Sequence, residues 1–142
     1  MATPSSSLIS PPSNFRIEAI LHGTSWDLPS NNVLTYAFHN FGGNWSSREQ
    51  SAVNSAFKAW ENVANIDFVR INSSGSFTQS SADIAFVASG TKLLQEGAAG
   101  VAFYPRSVIV DPEVAGASYT TAQYPNAAGD IFIDNPEVPG FN

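Results

Sequence analysis

The stretch from Ser46 to Ile71, SSREQSAVNSAFKAWENVANIDFVRI, constrains this chain more than any other. Ser46 followed by Glu49 has the form of a capping box, in which hydroxyl and carboxylate each satisfy a backbone N–H that the first helical turn leaves without a partner. This predicts a helix starting at Ser46. Val53, Ala56, Phe57, Trp60 and Ala64 then recur at spacings of three and four, which sets them on one apolar stripe, with Arg48, Asn54, Lys58 and Glu61 elsewhere. On that pattern Trp60 is a core residue. The stripe needs an apolar partner, and Ile66-Asp67-Phe68-Val69-Arg70-Ile71, rich in β-branched and aromatic side chains, reads as a strand that follows within one turn. Helix and strand so joined form half of an α/β layer.

A chain of 142 residues is one domain's worth, long enough to bury roughly 70% of the surface it exposes when unfolded. Hydrophobic residues at 43% and charged ones at 13% exclude disorder by composition. Twelve acidic against six basic side chains give a net charge of -6, which opposes nucleic acid and anionic membranes as partners, since both need clustered Lys and Arg. With no cysteine, the chain has no disulfide framework, thiolate zinc site or cysteine nucleophile. No stretch reaches the ~20 apolar residues of a membrane span, and residues 1–14 lack the basic and apolar regions of a signal peptide. An export signal, on this reading, lies outside the chain.

In order, residues 1–14, MATPSSSLISPPSN, read as a flexible Ser/Pro-rich lead-in, and 15–142 as the folded part. Arg16 to His22 could form a short helical turn ended by Gly23. Val33 to Phe38 is the first strong strand, broken by Phe41-Gly42-Gly43; Asp83 to Val87 is the third and Gly100 to Tyr104 the fourth, stopped by Pro105 as suits a sheet edge. Ser107 to Ala128 has few apolar anchors and reads as a long surface loop, a length usually given to function. Gly129 to Asp134 is the last strand. Five strands and one main helix give an α+β or α/β domain built on one sheet, yet one helix cannot cover both faces. The pattern therefore expects a further helix beyond residue 142, without which the face around Phe68, Ile84 and Ile131 is left partly bare.

The order of segments resembles the N-terminal half of a metzincin zinc-endopeptidase catalytic domain, and within that clan the serralysin-like proteases of the matrixin superfamily. The resemblance rests on IEAILHGTSWD at 17–27, LTYAF at 34–38, AVNSAFKAWENVANIDFVRI at 52–71, ADIAFV at 82–87, AGVAFYP at 99–105 and GDIFID at 129–134. It implies a twisted five-stranded mixed sheet, mostly parallel with one antiparallel edge strand, and the Ser46 helix packed on it: an incomplete zincin-like domain. A second helix carrying HExxHxxGxxH would hold the catalytic zinc through three histidines and activate its water with the glutamate. This chain contains no HExxH, so no residue here is assigned to catalysis or to zinc. The resemblance also implies a secreted protein, monomeric when complete, acting on extended peptide or protein substrates. Substrate would pair by β-strand addition with the main chain of the edge strand, which matches Gly100, Val101, Ala102, Phe103 and Tyr104. Where the collagenase-like branch has two histidines for a structural zinc, this sequence has Val101 and Phe132. Asp134 matches a carboxylate that helps hold calcium in that branch; its companions are not recognisable, and calcium stays unassigned.

The other candidates read more simply as structure. His22 and His39 are the only imidazoles and lie seventeen residues apart, whereas a zincin site needs three, two of them one helical turn apart. Both read as surface or loop-packing residues. Serines are plentiful but no GxSxG elbow supports a Ser/His/Asp triad. Asp130 and Asp134 flank a strand and could pair as acid and base, although strand ends carry Asp for turns and solvation as well. Trp26, Trp45 and Trp60 could suggest a carbohydrate platform, against which stands the place of Trp60 on the helical stripe. The sequons Asn44-Trp45-Ser46 and Asn72-Ser73-Ser74 bear on structure only in a eukaryotic secretory host.

Overall fold

The computed structural model describes residues 2–4, 26–90, 100–105, 113–114, 117–118, 120 and 122–134. The helix begins where the sequence places it. α1 spans Ser47–Glu61, and Ser46 and Glu49 close a reciprocal capping box: the Glu49 N–H donates to Ser46 Oγ at 3.2 Å and the Ser46 N–H to Glu49 Oε2 at 2.7 Å.

Among the described residues nine strands accompany it: β1 (Thr3–Pro4), β2 (Trp26–Asp27), β3 (Val33–Phe41), β4 (Asp67–Arg70), β5 (Ile84–Ser89), β6 (Gly100–Ala102), β7 (Glu113–Val114), β8 (Ala117–Ser118) and β9 (Ile131–Asp134). Five of them form one mixed sheet in the order β4-β3-β5-β9-β6. β4, β3, β5 and β9 run parallel, with Tyr36 beside Ile84 and Phe86 beside Ile131, while β6 is the antiparallel edge, with Val101 beside Phe132. The protein is therefore an α+β domain with a five-stranded mixed sheet and, among the described residues, one α-helix. β5 is buried along its whole length, as a continuous apolar run flanked on both sides requires.

Alternation along the strands divides the core in two. Leu34, Tyr36, Ile84 and Phe86 face α1, together with half-buried Phe38, Trp45, Val53, Phe57 and Phe68. Phe57 stacks on Phe68 with ring centroids 3.9 Å apart and meets Tyr36 edge-on at 4.7 Å. Ala85, Val87 and Phe132 face the other way, under Phe77, Tyr124 and Ala127. Among the described residues, the second face is thus covered by a short 3-10 turn at Phe77–Gln79 and by loop residues, with no α-helix over it. Of the three residues expected to be left bare, Ile84 is buried, while Phe68 and Ile131 stay half-buried. Ala2, Trp26 and Leu28 join the cluster on that face.

The expectations for the face of α1 and for the loop at 107–128 need correction. Trp60 is 63% exposed and not core, because α1 presents Val53, Asn54, Phe57 and Glu61 to the sheet, a face rotated off the stripe drawn through Trp60. Asn54 was expected to point elsewhere, yet the Tyr36 hydroxyl donates to its Oδ1 at 2.6 Å. Within the long loop, β7 pairs with β8, and Tyr124 and Ala127 are buried anchors at 2% and 1% exposure. In the lead-in, β1 pairs with β2 and Ala2 is buried. The helical turn expected at Arg16–His22 lies outside the described residues.

The end of β5 meets the turn after β3 at a close approach that only glycine allows. The Gly90 N–H donates to the Phe41 carbonyl at 2.9 Å, and a Cβ built on Gly90 would stand 2.0 Å from the Gly42 carbonyl oxygen. Since the obstructing atom is backbone, Gly90→Ala must push the two central strands apart. A loss of about 2–3 kcal/mol in chemical denaturation is expected. An alanine variant as stable as the parent would show that the two turns do not approach.

Candidate functional site

The site to be built is the rim formed by β6 and the residues that follow it. β6 is hydrogen-bonded to β9 on one side, and no described strand lies on the other. Past Ala102 the pairing continues: the Phe103 N–H donates to the Asp130 carbonyl at 2.9 Å and the Gly129 N–H donates to the Phe103 carbonyl at 3.1 Å. Phe103 thus turns its amide inward, and alternation gives Val101 the same orientation. The main-chain groups of Gly100 and Ala102 consequently point away from the sheet, where an incoming strand could bond them.

The side chains follow the same alternation. Val101 and Phe103 pack on the loop-covered core, and Phe103 meets Phe132 at 5.8 Å and Tyr124 at 6.3 Å between ring centroids. Gly100 and Ala102 are exposed, and Tyr104 is 51% exposed. Gly100 has a specific reason to lack a side chain, because a Cβ there would stand 2.8 Å from the Phe132 carbonyl oxygen. Of the five residues of the sequence-predicted rim, Gly100–Ala102 form β6 and Phe103 continues its pairing toward Asp130 and Gly129.

Behind the rim stands Asp130, 1% exposed. Its Oδ1 accepts from the Ala85 N–H and its Oδ2 from the Tyr124 hydroxyl, each at 2.5 Å. One carboxyl group thus ties the start of β5 to the loop anchor Tyr124, while its own carbonyl holds Phe103. Burial pushes its pKa up to about 8, against the pull of the two donors. Asp130 is an internal brace, and its position rules out surface acid/base work with Asp134, whose backbone lies opposite Ser89.

Asp83 plays a related part between β3 and β5. Its Oδ2 accepts from the Thr35 N–H at 2.8 Å and the Thr35 hydroxyl at 2.6 Å, and the Asp83 N–H donates back to Thr35 Oγ1 at 3.0 Å. Sequence reasoning read Asp130 as structural without finding its partners, and missed Asp83 and Tyr124. The only available signal was an acidic residue directly before each apolar run, which turns and strand ends share.

His39 is buried at 5% exposure and packs the loop that follows β4. Its Nε2 shares a hydrogen bond of 3.1 Å with Ser80 Oγ, and burial lowers its pKa while a bond to the Gly75 backbone opposes that shift. Serine and histidine adjoin here, but Ser80 is itself 2% exposed, and its Oγ also accepts the Ala82 N–H. No substrate reaches either. His22 lies outside the described residues. The tryptophans form no platform: Trp26 and Trp45 are half-buried in the helix-side core, where the Trp45 indole donates to the His39 and Phe86 carbonyls, and Trp60 stands apart on α1.

Among the described residues no three His, Cys, Asp or Glu side chains gather to hold a metal ion, and Val101 and Phe132 are packed in apolar surroundings. For calcium, part of the loop 107–128 that would complete a site lies outside the described residues. Among the described residues, no helix is long and apolar enough to cross a membrane. Neither a scan against protein-family models nor a search of curated proteins finds a match for this chain.

Proposed function

We propose that this chain is the N-terminal portion of a secreted, serralysin-like zinc metalloendopeptidase, and that β6 is the rim along which an extended peptide adds as a further strand. The observation that carries this reading is that no described strand lies on the outer side of β6, where alternation turns the main-chain groups of Gly100 and Ala102. It is supported by the antiparallel setting of that one strand beside four parallel ones, the arrangement implied by the segments at 34–38, 52–71, 82–87, 99–105 and 129–134. Main-chain pairing supplies affinity at such an edge whatever the side chains. The chain by itself is expected to hydrolyse no peptide bond, since it contains no HExxH.

That same lack favours a second reading, a non-catalytic peptide-binding module, or decoy, that uses the same edge. Both readings predict that an extended peptide perturbs the amides of Gly100 and Ala102 in a nuclear magnetic resonance titration, and leaves those of Val101 and Phe103 nearly still. Unmoved outward amides at millimolar peptide would remove both. The readings part on the coding sequence after residue 142. A continuation into HExxHxxGxxH, with one zinc per chain and chelator-sensitive casein cleavage by the longer product, supports the protease. A frame that stops there, in a folded protein that binds peptide without cleaving it, supports the module.

A further inference from the structure

The sheet has a second edge, β4, and it is treated differently. The Asp67 N–H donates to the Asn32 carbonyl at 3.0 Å and the Ile71 N–H to the Tyr36 carbonyl at 2.8 Å, both toward β3. Alternation turns the main-chain groups of Phe68 and Arg70 outward, where unpaired donors and acceptors form a template for another strand. One of these donors is taken: the Phe68 N–H donates to Glu61 Oε1 at 2.8 Å. Glu61 is the last residue of α1, and its Oε2 accepts from Lys58 Nζ at 2.5 Å. Its side chain is only 11% exposed, against 76% for Lys58, so the carboxylate lies along the strand edge and not in solvent. Lys58 first, and then the Phe68 N–H, hold its pKa below the usual carboxylate range, which keeps the charge in place at neutral pH.

We propose that Glu61 is an edge guard, occupying the amide through which β4 of a second copy of this chain would otherwise pair with β4. The strand's own register identifies the partner. An antiparallel pair about a twofold axis at Val69 sets the outward groups of Phe68 opposite those of Arg70 in the other copy, and the reverse, so every outward group finds a complement. The same axis sets Val69, 44% exposed, against itself. Arg70 already lies over the Phe38 ring at 4.8 Å, so a second aromatic residue opposite it meets a face suited to cation–π contact. β6 has no such guard among the described residues, which agrees with one edge kept for binding and the other kept closed.

The test is sedimentation of the whole chain across the micromolar to millimolar range, in which unprotected edges associate. Glu61→Ala and Glu61→Asp, the latter too short to reach the Phe68 amide, are expected to dimerise at least ~10-fold more tightly than the parent. Glu61→Gln keeps an acceptor oxygen and should follow the parent. Adding Val69→Lys to Glu61→Ala should return it to parental behaviour, because a charge on an edge strand blocks strand addition. If both short variants sediment like the parent, or if Val69→Lys leaves their association unchanged, the proposal is overturned. Should the alanine variant fail to fold by circular dichroism, hydrogen exchange on the parent decides. A Phe68 amide protected like that of Ile71 supports the guard, and one exchanging as fast as that of Arg70 removes it.

Discussion

Phe132→Ala is expected to cost about 3–5 kcal/mol, enough to unfold a domain of ordinary marginal stability at body temperature. Phe132 is fully buried in the middle of β9, with Val87 beside it on β5 and Val101 on β6. Its ring meets Phe77 at 5.4 Å and 90° and Phe103 at 5.8 Å, so removing it empties the loop-covered core and also loosens the support of the rim. The neighbouring residue supplies the control. Ile133 points to the opposite face and is half-buried, and Ile133→Ala should cost only about 1 kcal/mol. Chemical denaturation of both variants measures the difference. Equal losses would mean that the two faces of β9 are not unequally closed, and that the loops over Phe132 contribute little.

Local patterns made much of this architecture legible. The capping box at Ser46 and Glu49 placed the start of α1, because its partners are three residues apart and need no tertiary context. The five strands of the sheet stand where β-branched and aromatic runs put them, within a few residues at the ends. β3 runs on to Phe41, past the expected stop at Phe38, because its last residues pair with Ala88 and Ser89, which periodicity cannot foresee. The phase of α1 was misread for a related reason. Spacing shows that a stripe exists, but which polar flank turns inward depended on the Tyr36 hydroxyl and the Phe68 amide, which recruited Asn54 and Glu61 and left Trp60 outside.

The candidate site was legible only in outline. The rim could be read as a strand next to a proline, and main-chain pairing asks nothing further of sequence. The groups that hold it could not be read. Tyr124 and Ala127 anchor a loop with no repeat, and the bond from Tyr124 to Asp130 spans six residues in no regular element. The bond from Ala85 to Asp130 spans forty-five and exists only once β5 and β9 are side by side. Buried polar braces are specified by the assembled fold, so a single sequence shows their residue types without their partners.

Asp130 should give the stability of this protein an unusual dependence on pH. Its carboxyl has a folded-state pKa near 8, raised by burial from the ordinary value of 3.8, so the folded chain binds this proton more tightly than the unfolded one. The stabilisation from that proton is complete below about pH 4, falls as pH rises through the window up to about 8, and is gone above it; the full change is on the order of 5 kcal/mol. Glu49 and Glu61 act with the opposite sign, because their partners hold both pKa values down, and their stabilisation is lost as the solution becomes acid. Asp130→Asn separates the two effects. The amide oxygen still accepts from Ala85, the amide nitrogen can donate to the Tyr124 oxygen, and nothing titrates. The variant is therefore expected to match the parent near pH 4 to 5 and to exceed it by several kcal/mol at pH 9, as measured by urea denaturation across the range. Tyr124→Phe should do the reverse: by removing the donor on Oδ2 it leaves the ionised carboxylate less satisfied, and the loss of stability on the alkaline side grows by about 1–3 kcal/mol. A parent and an Asp130→Asn variant with parallel pH profiles would show that the carboxyl is ionised in the folded protein at neutral pH. The two short donors would then outweigh the burial that raises its pKa.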